Sequence, residues 1–141
     1  MPHIKPRHLN SQQGTGYHAS FDVVAAEAIS INMIVIACAR DGERVKWQKA
    51  DANVAGRHLG VLGIADHAAP SGGRIRVVSH KVVTSVDTSG STAAGYPVYL
   101  SDTAGGWSVS AGSASMVVGN VLEDSATGSI LLAPAHAVGI E

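Results

Sequence analysis

Seven histidines, and a Ser79-His80-Lys81 triplet followed by Asp87, are the residues of this chain whose types could carry chemistry. Serine, histidine and aspartate can serve as nucleophile, base and orienter in acyl transfer, provided that the hydroxyl reaches the imidazole and the carboxylate stands behind it. Here Ser79 and His80 are neighbours in a run from Arg74 to Val83 that reads as one strand, and neighbours on a strand point to opposite faces. The expectation is that they do not meet and that the protein is not an enzyme. Lysine-modified carrier domains present their lysine at a hairpin tip, whereas Lys81 is expected inside the same strand, with no acidic residue before it at a turn.

The other candidates for chemistry fall to spacing. His3, His8 and His18 match no zinc-module spacing, with no cysteine nearby and no carboxylate before Asp22. Asp66-His67 ends a strand at a turn, where a solvated pair is expected, and His136 lies in the tail. Gly72-Gly73 and Gly105-Gly106 precede no helix, so they turn hairpins and do not cradle phosphate. No metal, cofactor or small-molecule substrate is expected. Trp47, Tyr99 and Trp107 do not form a stacking platform with basic neighbours, as single-strand binders require, and read as core or interface aromatics. A net charge of -1, with 15% charged residues, gives no reason to expect nucleic acid as a partner. Cys38, the one cysteine, excludes an intrachain disulfide and reads as a small buried side chain. No apolar run approaches a membrane span and no targeting signal is visible, so folding in the cytosol of whatever cell makes the chain is expected.

The elements that would position these residues are strands. Residues 1–20 stand apart: they carry Lys5, Arg7, two prolines and three histidines, no acidic residue and no hydrophobic periodicity. They read as an arm, either a frayed terminus or a basic strap ordered on an acidic partner surface; Lys5, Arg7, His8 and Tyr17 are its candidate contact residues. Residues 21–141 read as a single domain. Phe21 to Ala25 favours a strand, and Asn32 to Ala39 is apolar on both faces, which suits a strand covered on both sides.

From Ala94 to Pro134 short strands alternate with tight turns, and the pattern echoes residues 30 to 78. Met33-Ile-Val-Ile-Ala37 matches Pro97-Val-Tyr-Leu-Ser101, and Val45-Lys-Trp47 matches Trp107-Ser-Val109. Gly60-Val-Leu62 then matches Asn120-Val-Leu122, and Gly73 to Val77 matches Gly128 to Leu132. The offset falls from 64 to 60 to 55 residues, so the second copy has the shorter loops. With pseudo-repeats at about 30–84 and 94–134 and Asp87 to Ala94 as the link, this predicts an all-β fold. It would be a compact β-barrel or β-sandwich built from two similar four-strand units, with an extended N-terminal arm. A 45% hydrophobic composition with so little charge predicts an oligomer or docking onto a larger body.

The succession V-Y-L-S, D-T-A-G-G, W-S-V, V-V-G-N-V-L, an acidic turn and G-S-I-L-L-A-P resembles the small capsid decoration, or cement, proteins of tailed bacteriophages. M-I-V-I, the D-G turn, G-V-L-G-I-A and G-G-R-I-R-V-V are similar to their N-terminal half, so the likeness spans about Phe21 to Pro134. It is one of style and carries no signature motif. It implies an all-β homo-oligomer, expected as a trimer, that binds the major capsid protein on the outside of the mature head and stabilises it. It supplies no catalytic residue and no motif for the arm. A tail, baseplate or head-fibre component is the alternative within the same class. A small β-barrel enzyme or lysine-modified carrier using Lys81, or Ser79, His80 and Asp87, is the alternative outside it.

Overall fold

A computed structural model describes residues 20–41, 44–91 and 93–134 of the chain. Their ten regular elements are all strands: β1 Ser20–Ala25, β2 Ile34–Asp41, β3 Arg44–Lys49, β4 Leu62–Ala65, β5 Arg74–Val78, β6 Lys81–Val86, β7 Pro97–Leu100, β8 Trp107–Ser108, β9 Val117–Glu123 and β10 Gly128–Leu132. The first five close into a barrel in the order β1-β3-β2-β4-β5. The other five make an open, curled sheet in the order β6-β10-β9-β7-β8.

Traced from the strand that opens each half, the two sheets share one path. In the barrel it runs β1-β5-β4-β2-β3 and in the open sheet β6-β10-β9-β7-β8, with every step antiparallel. The four strands matched from the sequence are therefore present twice, each set preceded by a fifth. Local geometry repeats as well. Asn32 (φ 69°) and Gly95 (φ 89°) hold the left-handed turn before β2 and β7, a conformation that glycine and asparagine tolerate best. Asn32 donates its N–H to the Ala65 carbonyl as Gly95 does to the Val121 carbonyl. Gly63 stands opposite Val35 and Gly119 opposite Val98, which moves the match of the third strands from Leu62 and Leu122 to this glycine pair.

Closure separates the halves. β3 is six residues long and pairs in parallel with β1 through Val24↔Lys46 and Ala25↔Trp47. β8 has only two residues and pairs with β7 alone, so among the described residues nothing joins it to β6. The free edge of β6 is blunted by Lys81 at its start and by a bulge near its end, where Ser85 has φ 59°.

Two apolar clusters follow from this arrangement. Val35, Trp47, Ile75, Val77 and small Ala25 and Ala65 fill the barrel. Ile34, Ile36 and Ile64 point outward from β2 and β4 into the concave face of the open sheet, against Val98, Leu100, Val118, Val121, Ile130 and Leu132. β2 is therefore covered on both sides, as its unbroken apolar run predicts; Ile34, Val35 and Ile36 are all buried. The run from Arg74 to Val83 is two strands and not one. Ser79-His80 is the link by which the chain leaves the barrel for the sheet, and the valines on either side of it disguise the break.

Candidate interaction surfaces

The structure brings together one pair of the proposed catalytic residues. Because Ser79 and His80 lie in a link and not on a strand, the opposite-face expectation fails, and Ser79 Oγ sits 3.3 Å from His80 Nδ1. Asp87 lies beyond the far end of β6, roughly 20 Å of extended chain away, where its carboxylate accepts bonds from the Ser89 N–H and hydroxyl. The three do not assemble into a triad. Lys81 is the first residue of β6 and not a mid-strand residue, and its Nζ is 3.1 Å from Asp66 Oδ1.

Asp66 and His67 lie open to solvent at the turn, as expected, but each is also bonded. His67 Nε2 accepts the Arg76 N–H at 3.1 Å while Nδ1 faces the Ala68 carbonyl at 2.9 Å, a set of roles that places the ring proton on Nδ1. Among the described residues no three His, Cys, Asp or Glu side chains are grouped to hold a metal ion. Cys38 is exposed where burial was expected, because a register shift between Ala37 and Ala39 turns it out of the barrel. Lys5, Arg7, His8 and Tyr17, together with His136, lie outside the described residues.

One end of the barrel opens into an apolar cavity of about 210 Å³ lined by Val23, Ala37, Val45, Trp47 and Val61. Val61 and nearby Leu59 are 63% and 69% exposed. The chain beside them is anchored, since Arg57 bonds Glu27 Oε2 at 2.5 Å and the Lys49 carbonyl at 3.2 Å.

The outer face of the open sheet is a second surface with exposed apolar side chains. Val83, Ile130, Val121 and Val98 point inward, so alternation turns Val82, Leu131, Asn120 and Pro97 outward, in one cross-strand row. Thr84 and Ser129 are paired in the next row, and Leu122 and Tyr99 face the same way. The first row carries no charge, and the second ends at Glu123, which stands opposite Ser129. Val82, Leu122 and Tyr96 at the margin are 53%, 47% and 44% exposed.

Acidic residues gather at one end of this face. Thr88 Oγ1 donates to the Glu123 carbonyl at 2.6 Å and accepts the Ser125 N–H at 2.9 Å, which holds Asp87 beside the exposed Glu123-Asp124 turn. The Ser89 hydroxyl and N–H hold the Asp87 carboxyl below its ordinary range. The Ser113 N–H and hydroxyl do the same for Asp102.

The barrel presents the opposite charge. On the side away from the open sheet, Val24 stands in register between Lys46 on β3 and Arg74 on β5, with exposed Arg76 further along β5 opposite Asp22 on β1. The net charge conceals a division that the sequence already contains. Residues 1–81 hold ten basic and six acidic side chains; residues 82–141 hold five acidic and none basic. A running sum of charge along the chain finds it.

No protein-family model matches this chain. No curated protein is significantly similar to it.

Proposed function

We propose that the protein is a structural component of a tailed-phage virion: a decoration protein that binds the major capsid protein on the outside of the mature head as a homo-oligomer, a trimer by the resemblance of its sequence, and cements the shell. Assembly takes place in the host cytoplasm.

The observation that carries this reading is the uncharged cross-strand row Val82-Leu131-Asn120-Pro97 on the outer face of the open sheet, with Val82, Leu122 and Tyr96 about half exposed. A lone soluble domain seldom leaves such a row open to water, and a building unit covers it on assembly. An oligomer engages several capsid chains at once, so weak contacts combine through high effective concentration. Whatever binds the expanded shell but not its dissociated parts stabilises that shell by mass action. The basic arm, through Lys5, Arg7, His8 and Tyr17, is the segment proposed to reach the capsid or a neighbouring subunit.

Gold labelling of the protein on purified particles tests the location. Label over the heads is expected, and label confined to tails or fibres would reject decoration in favour of a tail or fibre component. Deletion of residues 1–20 is expected to weaken shell binding without loss of fold; undiminished binding would remove the arm from the mechanism.

A further inference from the structure

We infer that the outer face of the open sheet is covered by a second copy of this chain, which presents the β3-β1-β5 side of its barrel in a head-to-tail contact. This rests on the proposed oligomer and specifies which surfaces form it.

Charge complementarity selects the occupant. The sheet face is uncharged at its centre, through Val82, Leu131 and Asn120, and ends at Asp87, Glu123 and Asp124. The barrel side carries Lys46 beside Val24 and exposed Arg76 further along β5, which with Arg74 outnumber the single acidic residue of these rows, Asp22, in register with Arg76. The aliphatic stems of lysine and arginine lie on apolar surface while their heads reach outward, so such a side can cover the valine and leucine row and set its cations against the acidic end. Two copies of the same half would set acid against acid or base against base, which disfavours a two-fold contact.

The positions of the two surfaces agree with this. β2 and β4 turn their outer side chains into the open sheet, so in the ring β1-β3-β2-β4-β5 the strand β1 lies on the opposite side of the barrel. The two surfaces are therefore at different places on one molecule, and filling one does not cover the other. That is the condition for a heterologous contact.

The test uses two full-length variants that alter exposed side chains, Leu122→Asp on the sheet and Arg76→Glu on the barrel, with circular dichroism to check the fold. Val82→Asp and Lys46→Glu repeat it at second positions. In sedimentation velocity the wild type is expected to associate, less so as salt is raised from about 0.05 M to 0.5 M. Each variant alone is expected to associate roughly ten- to a hundred-fold more weakly. A mixture of one sheet variant and one barrel variant still holds one intact pair of surfaces and is expected to stop at two copies. Variants that associate like the wild type, or a mixture that stays monomeric, would overturn the contact. A monomeric wild type would also overturn it, while binding to phage shells, measured separately, would still test the decoration reading.

Discussion

The barrel and the open sheet are two solutions to closing the same strand path. In the barrel, six-residue β3 reaches β1 and the interior fills with Trp47, valines and alanines. In the open sheet, two-residue β8 falls short, and the concave face is filled instead by Ile34, Ile36 and Ile64 from the barrel wall. One half completes itself and the other is completed by its twin. What separates them is the length of one strand and the company its inner face keeps, a difference that hairpin patterns do not carry.

If the halves share one core, emptying either should unfold both. Ile130→Ala in the sheet and Ile75→Ala in the barrel, both fully buried, are expected to cost about 2–5 kcal/mol each. Both should act on a single cooperative urea transition. Two resolved transitions, one per half, would break the comparison.

The matched glycines sharpen it. A Cβ at Gly119 would strike the Leu131 carbonyl oxygen, which belongs to the backbone; a Cβ at Gly63 would strike a methyl of Val77, a side chain that has to shift within the filled barrel. Gly119→Ala is therefore expected to cost about 3 kcal/mol and Gly63→Ala about 1 kcal/mol. The reverse order in urea unfolding would mean that these residues do not occupy equivalent places.

The third test compares the clasps that tie the opening loop of each half to its last hairpin. In the barrel Ile29 and Ala69 exchange backbone bonds beneath apolar side chains; in the sheet the Thr88 hydroxyl bridges Glu123 and Ser125. Removal of that hydroxyl in Thr88→Val takes the bridge from the part-buried Glu123 carbonyl and Ser125 N–H and is expected to cost about 1 kcal/mol. A thermal midpoint equal to that of the wild type would show that the hydroxyl contributes nothing.

The smallest effect is with acid. Asp87 and Asp102, both in the sheet half, have carboxyls held below their ordinary value by serine donors. A folded value below the unfolded one contributes stability that is present above the ordinary carboxylate range and is lost as pH falls through the depressed value. An Asp87→Asn, Asp102→Asn double variant should accordingly lose less of its thermal midpoint than the wild type when pH drops from 5 to about 2.5. Identical slopes would remove these carboxylates from the acid response.

Much of this was legible in the sequence. Turn residues and apolar runs located the hairpins, and the doubly apolar stretch at Asn32 to Ala39 correctly marked a strand covered on both sides. What escaped has physical causes. A bulge turned Cys38 outward, and bulges leave no mark on composition. The valines flanking Ser79-His80 carried the period straight through a link between sheets, which hid both the hydrogen bond between those two residues and the place of Lys81 beside Asp66. Alignment by similar triplets missed the glycine pair because its equivalence lies in register, which only the paired strands define. The division of charge was present in the sequence but cancelled in the net value.

The proposed role is tested most directly by mixing the purified, full-length protein with mature, expanded phage heads and with unexpanded precursor shells, then sedimenting each. Binding to the expanded heads, saturating at a fixed ratio to the major capsid protein and absent from the precursors, is the predicted result. A protein that remains in the supernatant with both, or pellets equally with both, would contradict it.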